Sequence, residues 1–377
     1  MTNIPDQSNG ANKRITISVD AMGGDRGPAA VVAGIARAAH KNPQFEFLLF
    51  GPEPELRKLV RRRSRLGQKR KLMDCCKIRH VEEVVSMEDK PSQVLRNGKG
   101  TSMWAAVDAV RGGEADAVVS CGNTGALMLV SMIRLKKLPG VDRPAIACLW
   151  PSRSPGGFNV LLDVGADIRA DARNLLQYAL MGASYARNGL ELSRPRIGLM
   201  NVGTEENKGH TEIREAHDLI TSAAEDANFE FVGFVEGRDI PSGRVDVIVT
   251  DGFTGNIALK TGEGTALLIR EFLREAFRAT PLSRIAALLA VTSLRRLSKR
   301  IDPRRVNGGV FLGLNGTVVK SHGSADAVGV ASAIGLACRL AKSRFNERLA
   351  ARVASFNPGG QDERGGTAEA AGKERER

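Results

Sequence analysis

The sequence predicts an α/β protein built on a largely parallel sheet, and two patterns predict it. Short apolar runs of strand length alternate with longer amphipathic stretches of helix length, as βαβ units do. Six of the apolar runs end in loops of Gly and small polar residues, mostly just ahead of a helical stretch. In an open parallel sheet such loops share one edge, where ligands bind.

In chain order, apolar runs place strands at residues 14–20, 45–50, 116–120, 145–149, 159–163, 196–201, 229–235, 245–250 and 317–321. Helical patterns fall between most of them, at 27–40, 124–136, 171–188, 211–227, 256–278 and 325–349. The ends, 1–12 and 357–377, are polar, rich in Gly, Glu and Arg, and lack apolar periodicity, which predicts disordered tails. Residues 13–356 are then expected to form a single large α/β catalytic domain.

Several classes are excluded. The longest uncharged apolar run, about 285–291, falls far short of the roughly 18 residues a membrane-spanning helix needs. The first ten residues have neither a basic start nor an apolar run, so no secretory signal is expected and the cytoplasm is the expected location. Five cysteines without CxxC spacing predict free thiols rather than disulfides or zinc. No HExxH occurs, so no metal is expected, and without G-x-G-x-x-G or G-x-x-x-x-G-K-[ST] no nucleotide cofactor is expected either. G-x-S-x-G is also absent, and Cys121 has no His beside it in sequence, which leaves a covalent acyl enzyme unsupported.

The chain carries 55 Lys and Arg against 42 Asp and Glu, a net charge of +13. Seven basic residues and no acid lie between Arg61 and Lys71, and Arg295, Arg296, Lys299, Arg300, Arg304 and Arg305 form a second cluster. Both call for an acidic partner. Aromatic residues make up 5% and none interleave with the basic runs, so the stacking platform of a nucleic-acid binder is missing. Around the second cluster, Ile285, Leu288, Leu289, Leu294, Leu297 and Ile301 recur largely at helical spacing. This predicts an amphipathic segment over 281–301 that lies on an anionic membrane surface; a dimer contact or a helix that docks an acidic protein is the competing reading.

The six loops are residues 19–25, 120–125, 163–167, 201–209, 250–256 and 321–326. They gather Gly, Asn, Thr and Asp with Lys208 and His322, a set suited to holding phosphate and polarising a carbonyl rather than attacking one. Lys208 is the first choice for phosphate or oxyanion; its alternative is a salt bridge to Glu205 or Glu206. Asn256 opens a helical stretch as a neutral donor or as a mere N-cap. Asn123 and Thr124 suit phosphate contact at a helix start. His322 is a titratable group in the last loop, a proton donor or a structural His.

Longer motifs carry a resemblance. Ile17-Ser-Val-Asp-Ala-Met-Gly-Gly-Asp25, Gly122-Asn-Thr-Gly-Ala-Leu127, Asn201-Val-Gly-Thr-Glu-Glu-Asn-Lys-Gly209, Val235-Glu-Gly-Arg-Asp-Ile240, Asp251-Gly-Phe-Thr-Gly-Asn256, Gly313-Leu-Asn-Gly316 and Lys320-Ser-His-Gly-Ser-Ala325 resemble the bacterial acyl-carrier-protein:phosphate acyltransferases of phospholipid synthesis, the PlsX family. The resemblance covers about residues 14–345. It departs from the family at Asp167, where Asn is expected, and at Gly308–Gly313, which is one residue shorter than the commoner form. It implies the transfer of a fatty acyl group from acyl carrier protein to inorganic phosphate. The acyl phosphate then feeds glycerol-3-phosphate acylation by a downstream acyltransferase. It also implies a three-layer α/β/α fold with a Rossmann-like sheet, similar to phosphotransacetylases and isocitrate dehydrogenases, in a homodimer without metal or nucleotide. On that basis Lys208, Asn256 and His322 are expected to be catalytic. Gly23, Gly24, Asn123, Thr124, Gly125, Gly203, Thr204, Thr254 and Gly255 are expected to bind phosphate or acyl group. Ile285, Leu288, Leu289, Arg295, Arg296, Lys299 and Arg300 are expected to contact partner or membrane. The alternative is a phosphate acetyltransferase-like enzyme using acyl-CoA.

Overall fold

The computed structural model describes residues 14–64, 72–301 and 308–355, with 298–301 described in backbone alone. The expected tails, residues 65–71 of the first basic cluster, and Arg304 and Arg305 lie outside the described residues, as do the side chains of Lys299, Arg300 and Ile301.

The described strands are β1 (Ile15–Asp20), β2 (Phe45–Gly51), β3 (Cys76–His80), β4 (Ala117–Ser120), β5 (Ala145–Pro151), β6 (Phe158–Leu162), β7 (Arg196–Met200), β8 (Glu230–Val235), β9 (Val247–Val249), β10 (Gly309–Leu312) and β11 (Thr317–Lys320). Between them run α1 (Gly27–Lys41), α2 (Glu53–Ser64), α3 (Pro91–Asn97), α4 (Ser102–Arg111), α5 (Thr124–Leu135), α6 (Ala172–Leu190) and α7 (Thr211–Ala223). The last third holds α8 (Gly252–Arg278), α9 (Pro281–Leu289), α10 (Val291–Ile301), α11 (Ala327–Lys342) and α12 (Phe345–Ser355). Two expected helices are therefore each a pair. The 281–301 segment breaks at Ala290 (φ −86°, ψ 5°), and a fresh N-cap at Thr280 starts α9. The 325–349 segment breaks at Arg344, which adopts φ 49°.

The strands form one sheet in the order β3-β2-β1-β4-β11-β10-β5-β6-β9-β7-β8. From β3 to β11 they are parallel. β10 is antiparallel to both its neighbours, β5 is antiparallel to β6, and β6, β9, β7 and β8 are mutually parallel. The two parallel blocks thus run in opposite directions. This corrects the expectation of a single ligand edge: loops 19–25, 120–125 and 321–326 leave one rim, and loops 163–167, 201–209 and 250–256 leave the opposite one.

Alternate strand residues bury on the two faces, because successive side chains point to opposite sides. One face packs Ile17, Phe47, Leu162 and Val319 under α1, α6 and α11. The other packs Val118, Ile146, Phe311 and Val318 with residues of α4 and α5, and Ala258 and Leu259 of α8 lie against it. Three layers result. On the second face α5 packs over β11 and α8 over β6, leaving β10 and β5 between them.

Candidate active-site cleft

The gap over β10 and β5 is a cleft of about 640 Å³. Its position follows from one row of the sheet: Asp20, Ser120, Lys320, Gly309 and Cys148 are successive cross-strand neighbours on the same face. Gly309 has no side chain to stand between Lys320 and Cys148, and Gly308 precedes it. The floor in front of the ammonium is therefore open. Ile146, Cys148 and Trp150, two residues apart on β5, carry the floor onward as an apolar strip.

Lys320 is the group sequence reasoning passed over. It is 8% exposed, and its Nζ donates to the carbonyls of Cys121 (3.3 Å) and Ser321. Among the described residues it forms no ion pair. Burial pushes its pKa below the ordinary lysine value, against the opposing pull of Cys121, Asp25 and Asp20. The signal for it was a lone charge ending the apolar run Thr-Val-Val-Lys directly before a Gly-containing loop. Asp20, 2% exposed, accepts hydrogen bonds from Ser102 Oγ (2.8 Å) and Ser120 Oγ (2.7 Å). Burial pushes its carboxyl pKa up despite them. Cys121 is buried too, and burial raises its thiol pKa. A thiol held neutral is a poor nucleophile.

The N-terminus of α5 supplies Thr124 and Gly125 to the cleft wall, where first-turn N–H groups lack helical acceptors. Asn123 does not reach the ligand space as expected. Its Oδ1 caps the helix by accepting from Ala126 N at 3.0 Å, and its Nδ2 donates to the carbonyls of Met87 (2.8 Å) and Asp89 (3.2 Å). Gly23 and Gly24 do not line the cleft either. A Cβ on Gly23 would lie 2.5 Å from Gly122 N, and one on Gly24, at φ +95°, 2.8 Å from Gly323 O. They let the three loops of this rim pack against one another.

Asn256 lies on the opposite wall, half-buried at the start of the second turn of α8 and beside Gly165. It is not the N-cap: Asp251 Oδ1 takes that part, accepting from Phe253 N and Thr254 N at 2.9 Å each. The Asn256 amide makes no hydrogen bond among the described residues and faces the cleft. Thr254 is exposed outside it. Gly255 serves packing, since a Cβ there would fall 1.9 Å from Asp163 O. His322 lines the cleft. Its Nδ1 accepts from Ser324 N at 3.2 Å, which assigns the proton to Nε2.

Lys208 is not among the cleft residues. Its Nζ pairs with Glu205 Oε1 at 2.8 Å, with both side chains about half exposed. That pairing raises the Lys208 pKa and lowers that of Glu205. Gly203 is buried beneath this pair and Thr204 is exposed. The structure therefore brings Asn256, His322, Thr124 and Gly125 together with Lys320, and leaves Lys208, Gly203 and Thr204 on the loop after β7. β7 neighbours β9, which leads into α8. No cluster of His, Cys, Asp or Glu among the described residues could hold a metal, and no described helix is long and apolar enough to cross a membrane.

A buried ammonium, the free first-turn N–H groups of α5 and a free amide around one apolar floor suit the transfer of a group to or from an anion. Residues 15–348 match the family model described as fatty acid synthesis protein. The chain is 70% identical over 338 residues to a phosphate acyltransferase from Jannaschia sp. (strain CCS1), covering 90% of this chain and 91% of that one. It is 66% identical to one from Ruegeria pomeroyi over the full length of both. The chain belongs to this phosphate acyltransferase family and is an acyltransferase. A phosphotransacetylase from Streptococcus pyogenes shares the fold, with a TM-score of 0.56 at 19% identity over 87% of this chain and 94% of that one.

Proposed function

We propose that the chain moves a fatty acyl group from acyl carrier protein to inorganic phosphate. The acyl phosphate product is consumed by a glycerol-3-phosphate acyltransferase in phospholipid synthesis. The observation that carries this reading is the cleft itself: a buried cation and helix N–H groups for an anion, continuous with an apolar floor for a chain. In the step, a phosphate oxygen attacks the thioester carbonyl carbon, a tetrahedral oxyanion forms, and the C–S bond breaks to release the carrier thiolate. Lys320 and the N–H groups of Thr124 and Gly125 hold phosphate. Asn256 donates to the oxyanion, and His322 Nε2–H donates a hydrogen bond to the departing thiolate, which takes its proton from water. Lys208, whose solvent-screened surface pair with Glu205 is weak, exchanges that carboxylate for incoming phosphate. No side chain is acylated.

Palmitoyl carrier protein should release free thiol in a phosphate-dependent manner, and omission of phosphate should abolish release. Acetyl-CoA turned over in preference to palmitoyl carrier protein would establish the acyl-CoA reading instead.

The same proposal places the chain, as a homodimer, on an anionic membrane surface. Ile285, Leu288 and Leu289 of α9 are 56%, 72% and 83% exposed, and Arg295 and Arg296 of α10 are exposed beside them. The basic net charge suits both an acidic carrier and anionic lipid. The chain should float with anionic liposomes and Leu289→Asp should not; equal flotation of both would end the membrane reading.

A further inference from the structure

The α8 face that walls the cleft continues beyond it. Asn256, Leu259, Glu263 and Ala266 line the cleft. One turn past Ala266, Arg270, Leu273, Arg274 and Phe277 line a second, open groove of about 680 Å³ between α8, α9 and α10. Steps of three and four keep these residues on one side of the helix. From Asn256 to Phe277 that side runs about 31 Å at roughly 1.5 Å per residue.

This second groove has an apolar floor and a cationic rim. Leu273, Phe277, Leu288 and Leu294 supply the floor. Arg270, Arg274, Arg278 and Arg284 supply four guanidinium groups, none of which forms an ion pair among the described residues. Arg284 reaches only the Arg278 carbonyl, at 3.4 Å. Four unpaired cations around a trough attract an anion, and guanidinium groups match phosphate oxygens in pairs. Apolar walls beneath them require that the anion carry a chain.

We propose that this groove binds the long-chain acyl phosphate product after it leaves the cleft, resting on the reaction proposed above. The product fits better than the donor because its charge sits at the carbonyl end of the chain, where the donor has a neutral thioester. Ala266 and Arg270 are one turn apart, so the tail keeps an α8 surface against it as the phosphate moves from Lys320 to the arginines. Ile285 and Leu289 do not line the groove and remain for the membrane.

The test uses the full chain and dodecyl phosphate, an unreactive single-chain anion, below its micelle concentration and without carrier protein. A Lys320→Met background removes the cation of the cleft. In it, one dodecyl phosphate per chain should bind, and adding Arg274→Glu and Arg278→Glu should weaken binding roughly tenfold or more, the scale of lost charged hydrogen bonds. Dodecanol should bind at least about tenfold more weakly than dodecyl phosphate on the same grounds. The two arginine substitutions alone should leave phosphate-dependent thiol release in solution unchanged. Undiminished binding by the arginine variant overturns the proposal, as does equal affinity for dodecanol. Displacement of the probe by phosphatidylglycerol vesicles would assign the groove to lipid headgroups, and dissociation of the variant to monomers would assign it to a second copy of the chain. Absence of thiol release in the wild type would end the proposed reaction while leaving this binding measurable.

Discussion

Lys320→Met is expected to lower kcat/KM for phosphate-dependent thiol release by about 10³, the upper end of what one preorganised electrostatic donor contributes. The size follows from location. The ammonium is 8% exposed, so water screens it little, and its charge acts at near full strength on an anion in front of Gly309. Methionine keeps length and volume while removing the charge. Folding should not suffer, and the reason is a matter of sign. Burial holds the Lys320 pKa below its ordinary value, so the protonated native state carries a charge that the unfolded chain solvates better. That cost is fully present below the folded pKa and is relieved as pH rises from there to the ordinary lysine value. The variant lacks the cost but leaves the Cys121 and Ser321 carbonyls without this donor, so its Tm at pH 7 should stay within a few degrees of that of the wild type. By the same shift, wild-type activity should decline with rising pH before the ordinary lysine range is reached, and Lys320→Met should lack that limb. Turnover near the wild-type level, or a loss of activity explained by unfolding, would sink the assignment.

Nine of the eleven described strands were legible because their apolar runs are continuous. The two that were not show why. β3 reads Cys-Lys-Ile-Arg-His, an edge strand whose charges leave no apolar run, and β10 is only Gly-Val-Phe-Leu. β10 matters most. It is the first of three successive antiparallel pairings, β11–β10, β10–β5 and β5–β6, that together turn half of the sheet over, and reading the strands as parallel throughout produced the expectation of one ligand edge. Its glycines also open the cleft. Motifs located the loops correctly but not the office of each residue within them. Asn123 and Gly255 sit at the expected helix starts, yet a cap and a close packing contact occupy them. Burial decides such cases, and it depends on strand neighbours distant in sequence. Lys320 gains its environment from Ser120 and Gly309, which adjacent residues do not reveal. The Asp167 departure has a local account: its Oδ2 accepts from the buried Tyr178 hydroxyl at 2.9 Å, away from the cleft.

Asn256→Ala and Lys208→Ala should each lower kcat/KM by about 10², the loss expected for one donor to a developing charge, but in different parameters. The Asn256 amide is half-buried, faces the cleft and has no hydrogen bond among the described residues. A donor left idle in the free enzyme is engaged chiefly when the oxyanion forms, so its removal should fall on kcat. Lys208 is half exposed and already holds Glu205. It gains from phosphate in the ground state as well as at the transition state, so its removal should fall largely on the KM for phosphate. Cys121→Ala supplies the contrast. Burial raises the thiol pKa, phosphate brings its own nucleophilic oxygen, and kcat/KM should change by no more than about threefold, as for a conservative small core substitution. An acyl group trapped on any side chain, or a Lys208→Ala enzyme with an unaltered response to phosphate, would remove the corresponding part of the mechanism. The parameter split also separates chemistry from architecture, because a residue that merely shapes the loop after β7 has no reason to discriminate phosphate from the thioester.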